Sequence, residues 1–443
     1  MQILAQILFG IILIAGIGFF ARNVRRMIRN IKLGKKVDRT DQKGERFKTM
    51  ALLALGQSKM VRRPISGILH IIVYLGFIII NIEVLEIIID GLFGTHRIFA
   101  PYLGGAYDVL IATFEVLAFL VLVGVIIFWT RRNISRIKRF WAREMTSWPK
   151  NDANNILYFE MVLMALFLIM NGADLQLQLN GADHYAQAGT FPISQFLLPI
   201  FDGLSTSTLI IIERTAWWLH IVGILIFLNY LYYSKHLHIL LAFPNTYFAK
   251  LSPKGEFNNL EAVTNEVKLM MDPDADPFAA PAEGAEDDVP EKFGASDVSD
   301  LNWVQLLNSY TCTECGRCTS ECPANQTGKK LSPRKIMMDT RDRLEEVGEN
   351  INKNGTFEDD GKQLLDDYIL REELWACTTC NACVEACPIG IDPLSIIMDM
   401  RRYLVMEQSA APNELNNAMT NIENNGAPWP YNQMDRLNWT NES

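Results

Sequence analysis

The chain has 443 residues, of which 49% are hydrophobic and 21% charged, with a formal net charge of −9. That balance excludes a disordered polyelectrolyte and a single small soluble domain, and favours several domains, one of them in a membrane. The sequence offers no basic patch for nucleic-acid binding.

Apolar residues concentrate in five runs, 2–20, 65–90, 107–129, 155–172 and 207–243. Each is long enough to cross about 30 Å of hydrocarbon as a helix. Five such runs do not fit one water-soluble core, and a cleaved signal peptide at 1–20 is disfavoured because the positive charges follow the run. The loop after the first run carries Arg22, Arg25, Arg26, Arg29 and ten further Lys or Arg up to Arg63. The loop after the third carries Arg131, Arg132, Arg136, Lys138, Arg139 and Arg143. By the positive-inside rule both face the cytoplasm. The loop between runs two and three has only Arg97, and 171–208 has no Lys or Arg, so these face outward. The expected localisation is a bacterial-type cytoplasmic membrane, multi-pass, with the amino terminus outside and everything after residue 245 inside.

From Asp272 to Asp300 there are ten acidic residues and one lysine, interrupted by Pro273, Pro277, Pro281 and Pro290. This reads as a flexible acidic linker. Next come all eight cysteines, as two copies of C-x2-C-x2-C-x3-C-P: Cys312, Cys315, Cys318, Cys322 and Cys377, Cys380, Cys383, Cys387. Two-residue gaps let three thiolates converge on one cubane while the fourth cysteine, carried to a helix start by its proline, ligates the other cluster. One [4Fe–4S] cluster is therefore assigned to Cys312, Cys315, Cys318 and Cys387, and a second to Cys377, Cys380, Cys383 and Cys322. Structural disulfides and zinc are the weaker readings of the pattern. Between the motifs a helix is predicted from Ser332 as cap and Pro333 in the first turn, and another from Pro393 to about Met406. No phosphate loop or hydrolase motif supplies a separate catalytic centre. The domains expected are 1–245 in the membrane, 246–300 as linker, 301–410 holding the clusters, and 411–443 as a tail.

Three histidines lie in the fifth run. On one continuous helix His220 and His238 share a face about 27 Å apart, while His236 points about 160° away, toward lipid or solvent. His70 lies about 9 Å beyond Pro64 on the second helix, at the depth of His238. Two histidines from different helices at one depth suit a b-type haem with two imidazole ligands. An interhelical hydrogen bond is the plainer alternative. His220 has no such partner, because Ile80 to Val84 contain no histidine. It is left to hold a five-coordinate haem, recruit a loop histidine or form a hydrogen bond. His96 and His184 read as solvated loop residues, Glu213 and Arg214 as a snorkelling pair or polar quinone contacts, and Glu83, Glu86, Glu115 and Glu160 as interhelical or proton-carrying acids.

The stretches ALGQSKMVRRPISGILHIIVYLGF and WWLH…YYSKHLH, the two cysteine motifs and the tail NIENNGAPWPYNQMDRLNW together resemble membrane-bound iron–sulfur oxidoreductases. These are related to heterodisulfide reductase and to electron-transfer-flavoprotein:menaquinone oxidoreductases, with an amino-terminal domain similar to the nitrate reductase gamma subunit. The resemblance implies a five-helix gamma-like bundle followed by a mainly α-helical two-cluster ferredoxin-like domain. It implies His70 and His238 as the haem pair nearest the clusters and His220 as a ligand of a distal haem. The gamma pattern has a further histidine near residue 80 that is absent here. Longer members continue past the tail into a domain of CCG repeats, so a separate CCG-domain subunit resembling heterodisulfide reductase B is the expected partner, with electron-transfer flavoprotein a further one. The function expected is electron transfer between a cytoplasmic redox partner and the menaquinone or other quinone pool. A membrane iron–sulfur sensor or maturation factor without haem, and a transporter subunit, are the competing classes.

Overall fold

The computed structural model describes residues 2–253, 255–273 and 292–441. Among the described residues the regular elements are helical, apart from two isolated backbone bridges. The longer ones are α1 Gln2–Ile31, α2 Lys43–Met50, α3 Pro64–Phe93, α4 Gly105–Asn133, α5 Ser147–Leu179, α6 Thr206–Tyr230, α7 His238–Tyr247, α8 Glu261–Met271, α9 Trp303–Thr311, α10 Pro333–Asn354, α11 Pro393–Met406 and α12 Asn413–Asn425. Five helices, α1, α3, α4, α5 and α6 with its extension to Tyr233, are long and apolar enough to cross a membrane. They close a ring in which α1 contacts α3 and α6, α3 packs on α4, α4 on α5 and α5 on α6. α1 is the least buried of the five.

Capping residues locate the ends. Ser205 accepts from the Thr208 N–H at the start of α6, and Pro64 occupies the first turn of α3, where its missing N–H is no loss. In the iron–sulfur region Ser332 caps α10 through the Lys335 N–H, with Pro333 in the first turn, and Asp392 caps α11 through the Ser395 N–H. Both helices start as the sequence predicts. α10 turns Ile336, Met337, Leu344 and Val347 into the core. Each such fully buried side chain contributes roughly 1.5–3 kcal/mol.

The fifth run is not one helix. α6 ends at Tyr230, two short 3-10 turns cover Leu231–Tyr233 and Lys235–Leu237, and α7 begins at His238. Ser234 between the turns is extended (φ −113°, ψ 146°), and its hydroxyl accepts from the His236 N–H. Asp152 of α5 fixes this corner, accepting from the Tyr230 hydroxyl at 2.7 Å and the Lys235 N–H at 3.2 Å. The linker expected over 246–300 is ordered on both sides of 274–291, a stretch outside the described residues. Thr246 is buried, α8 is helical, and 292–300 packs on the iron–sulfur domain with Ala295 and Val298 in its core. The second motif proline also departs from expectation: Pro323 opens a short helix, whereas Pro388 leads into a turn before α11.

Both basic loops lie at the bundle end that carries the iron–sulfur domain. Arg29 donates to the Gly348 carbonyl at 2.9 Å and to Asn352 at 2.7 Å, and Asn30 donates to the Tyr310 hydroxyl at 2.9 Å. Arg334 of α10 meets Glu144 at 2.6 Å and the Arg139 carbonyl at 2.7 Å. Glu144 is partly buried, which opposes its charge, but Arg334 and Ser332 outweigh this and hold its carboxyl below the usual range. From α1 the chain leaves through Gly34 into a backbone bridge, with the Lys35 N–H on the Leu301 carbonyl at 2.8 Å and the Trp303 N–H on the Lys35 carbonyl at 3.1 Å. A Cβ at Gly34 would lie 2.6 Å from the Trp303 nitrogen and 2.8 Å from the Asn302 carbonyl carbon. Backbone cannot move aside as a flexible side chain can. Gly34→Ala should therefore loosen the iron–sulfur domain on the bundle at a cost of about 1–3 kcal/mol, read as a lower Tm in detergent. Gly44→Ala, where no atom lies within 4 Å, should leave Tm unchanged or slightly raised.

Candidate functional site: thiol loops against paired histidines

The eight cysteines are all free thiols, so the disulfide reading fails. They fall into two groups. Cys312 lies within electrostatic reach of Cys315 and Cys387, and Cys318 of Cys315, Cys312 and Cys387 and, more weakly, of Cys383. Cys377 is close to Cys322 and Cys380, and Cys383 to Cys377 and Cys322. The last cysteine of each motif thus lies within electrostatic reach of cysteines of the other motif. Burial pushes the Cys312 thiol up to about 12 and the Cys387 thiol up to about 11. Without a cation these thiols stay protonated, and iron binding supplies the charge that makes thiolates tolerable there. Backbone N–H groups of Thr379 and Ile391 donate to the sulfurs of Cys377 and Cys387, each at 3.4 Å. Cys380 is exposed while Cys312, Cys322 and Cys383 are buried, so it is the Cys380 loop of the second motif that reaches the surface.

Residues 57–63 tie the first group to α3. Lys59 pairs with Glu385 at 3.5 Å, Arg62 with Glu385 at 2.5 Å and Arg63 with Glu321 at 2.9 Å. Arg317, beside Cys318, donates to the Lys59 carbonyl at 3.3 Å and to the Met60 sulfur at 2.8 Å. His70 follows one and a half turns into α3, and its ring centre stands 6.4 Å from that of His238. Two metal–imidazole bonds of about 2 Å, plus about 1 Å from each nitrogen to its ring centre, span about 6 Å. The His238 Nδ1 lies 3.0 Å from the Lys235 carbonyl, which fixes a tautomer with Nε2 available, and the His70 Nδ1 is buried without a partner. This donor set fits a metal between the two rings.

The third thiol-loop contact was invisible in the sequence. Glu314, between Cys312 and Cys315, is buried and ion-paired with Lys235 and, at 2.8 Å, with Arg341. Burial opposes its charge, yet Lys235 and Arg341 hold its carboxyl below the usual range. Lys235 also reaches the Pro149 carbonyl at 2.8 Å and Asp152 at 3.7 Å. The residue whose carbonyl orients His238 is therefore the one that clamps the first thiol loop.

His236 does not point away. Its ring stands 5.5 Å from that of His238 and its Nε2 is 3.5 Å from Glu160, because the corner at Ser234 abolishes the helical phase on which the expectation rested. His220, buried on α6, has its Nδ1 3.0 Å from the Leu163 carbonyl, and its Nε2 is buried without a partner. Phe167 lies beside it, ring centres 5.8 Å apart.

At the opposite end of the bundle His96 and His184 come together, ring centres 5.8 Å apart, with the His96 Nε2 3.4 Å from Asp174. His184 is exposed, as a loop histidine was expected to be, whereas His96 is half-buried because loop 94–99 folds inward behind Arg97. Arg97 is buried with left-handed backbone (φ 51°), and this strain of roughly 1–3 kcal/mol is offset by its partners. Its N–H donates to Asp90 at 2.7 Å, and its guanidinium to Asp174 at 2.7 Å, Asn171 at 3.1 Å and the Tyr107 hydroxyl at 3.2 Å. Glu86 accepts from Tyr107 and the Phe99 N–H, and Glu115 from the N–H groups of Ile193 and Ser194. Glu213 is buried, accepting from the Tyr185 hydroxyl at 2.9 Å and pairing with Arg214, so it is no snorkelling residue. Asn171, Asp174 and Gln178, at i, i+3 and i+7 on α5, were the sequence signal of this polar face.

This architecture is a helical bundle with a two-motif thiol domain, and residues 311–391 match the 4Fe–4S dicluster domain. Over 99% of its length the chain is 29% identical to a probable iron–sulfur-binding oxidoreductase of Bacillus subtilis, covering 61% of that protein. Over 92% it is 25% identical to an EtfAB:quinone oxidoreductase of Syntrophomonas wolfei, covering 55% of it. Over 24% of its length it is 36% identical to one subunit of a ferredoxin/F420H2-dependent CoB–CoM heterodisulfide reductase of Methanosarcina acetivorans, covering 52% of that polypeptide. The chain thus spans little more than half the length of the first two. Its homologues are iron–sulfur oxidoreductases. No solved structure matches it.

The crossed thiol grouping has a direct check. Cys387→Ser combined with Cys312→Ser removes two thiols of one group and should lose about half of some eight iron atoms. Cys387→Ser combined with Cys322→Ser strikes both groups and should lose nearly all. Equal iron loss in the two double variants, counted after purification without oxygen, would mean that the motifs are not crossed.

Proposed function

We propose that the chain is the membrane electron-transfer arm of a quinone-linked iron–sulfur oxidoreductase, in which Cys312, Cys315, Cys318 and Cys387 hold one [4Fe–4S] cluster, Cys377, Cys380, Cys383 and Cys322 a second, and His70 and His238 a haem b. Bound there, these groups accept and release electrons singly, connecting a soluble redox partner with the membrane quinone. The observation that carries this reading is the convergence of His70 and His238 at 6.4 Å on elements clamped to the first thiol loop. The residues of the chain do the positioning. The Lys235 carbonyl orients His238, the loop 57–63 sets His70 against the Cys387 end of the domain, and Arg317 places a fixed positive charge between the two. The buried unpartnered Nε2 of His220 supplies one ligand for a second haem.

Both Lys/Arg-rich loops share a side with the iron–sulfur domain, which supports a cytoplasmic domain and an amino terminus outside. The exposed Cys380 loop is the natural entry for a soluble partner. The tail adds a surface for one: Leu415, Met419 and Ile422 form an exposed stripe at i, i+4 and i+7 on α12, and Trp429, Tyr431 and Trp439 are exposed beyond it. A single apolar stripe of this kind is what a helix presents to a partner groove. A CCG-domain subunit and an electron-transfer flavoprotein are the partners we assign to it, in keeping with the resemblance.

The test is haem content. His70→Ala and His238→Ala should each abolish the reduced-minus-oxidised b-type band while keeping wild-type iron–sulfur content, and His236→Ala should keep both. A purified wild-type chain with full iron and no b-type band would instead make this a haem-free iron–sulfur sensor or maturation factor.

A further inference from the structure

A cavity of about 740 Å³ lies at the bundle end away from the iron–sulfur domain. It falls in the usual 300–1,000 Å³ range of small-molecule sites. Its walls are of two kinds. Ala5 of α1, Ile87 of α3, Ile210, Trp217 and Trp218 of α6 make an apolar and aromatic side, and Glu83, His96, Arg97, Asp174, His184 and Tyr185 converge on the other. Most of the polar groups are satisfied among themselves, as described above. Glu83 is not. It is 3% exposed, its Oε1 stands 3.9 Å from Arg97, and its Oε2 is buried without a partner while facing this space.

A buried carboxyl oxygen with no partner costs free energy unless a ligand completes it. We propose that this cavity is the quinone site, a deepening of the electron-transfer reading above and dependent on it. A quinone ring is flat, aromatic and apolar at its faces, matching Trp217 and Trp218, and carries two carbonyl oxygens that accept protons on reduction, matching Glu83 and His96. Ala5 lies on the exposed face of α1, so an isoprenoid tail leaves between α1 and α6 into lipid. Asp183 and His184 at the loop side are exposed and connect the polar wall to water. His220 lies one turn below Trp217 on α6, about 4.5 Å further along the axis, so its unpartnered Nε2 belongs to the layer just beneath the cavity. In the reduction two electrons arrive singly from the reduced iron–sulfur domain. Glu83 gives a proton to one quinone oxygen and His96 to the other, forming two O–H bonds, and water at the loop side restores both protons.

The experiment uses the full chain with its clusters, purified in detergent, reduced with dithionite, freed of excess reductant and mixed with a naphthoquinone bearing one isoprenoid unit. Wild-type absorbance should reoxidise with saturable dependence on quinone. Ala5→Trp, which narrows the mouth from an exposed position, and Glu83→Gln should each raise the half-saturating concentration about tenfold, the effect of one lost interaction of some 1.4 kcal/mol, with cluster potentials unchanged. In unreduced protein the same quinone should quench tryptophan fluorescence, and Trp217→Phe with Trp218→Phe should remove that quenching. Reoxidation that is saturable but indifferent to both variants would place the quinone elsewhere and overturn the site while leaving the electron-transfer reading intact. A wild-type chain that no quinone concentration reoxidises would overturn that reading itself.

Discussion

The ion pair between Lys235 and Glu314 joins the two halves of this molecule. Lys235 sits at a corner where the fifth apolar run stops being an α-helix, and Glu314 sits inside the first thiol loop. Neither charge stands alone: Asp152 lies beyond Lys235 and Arg341 beyond Glu314, so the buried charges alternate in sign. Such a chain is weak as a source of net stability, because desolvation consumes most of the Coulomb gain. Removing one member, however, leaves an uncompensated buried charge at about 3–5 kcal/mol. Its value is in register. The backbone carbonyl of the same lysine holds His238, so the thiol loop and the imidazole cannot slide independently.

A second constraint follows from the first. A helix continued straight through residue 230 would carry His238 along the bundle axis. The corner at Ser234 turns the chain instead, lays α7 across the end of the bundle and brings Asn245 to the Ile389 carbonyl at 2.9 Å and to Asn308 at 3.1 Å. Ile389 follows the second motif and Asn308 precedes the first, so α7 touches both halves of the iron–sulfur domain. One break in a helix therefore positions His238 toward α3 and docks the domain that carries the thiols.

The cysteine spacing, the five apolar runs, the caps of α10 and α11 and the pairing of His70 with His238 were legible in the sequence, because each rests on local chemistry or on a count of residues. What was illegible depends on non-local charge. The run 207–243 is apolar throughout, and nothing in its periodicity marks a corner; the corner is made by Asp152, some 80 residues earlier. The reading of His236 failed for the same reason, since helical phase carries no meaning across Ser234. Arg97 entered the sequence reading only as the one basic residue of an outer loop, and its burial became visible only with the inward-facing Asn171 and Asp174 of α5.

The two ends of the bundle use charge in opposite ways. At the iron–sulfur end Glu144 pairs with Arg334 and Glu314 with Lys235, each on another element, so these charges lock structure. At the far end Arg97 serves Asp174 at 2.5 Å and leaves Glu83 at 3.9 Å, a separation at which no hydrogen bond forms. One cation shared unequally among several acids gives a polar face with fixed groups and one unsatisfied one. An end cross-linked by buried ion pairs suits groups that must hold still while electrons pass, and an incompletely paired cavity suits a ligand that must arrive, take protons and leave.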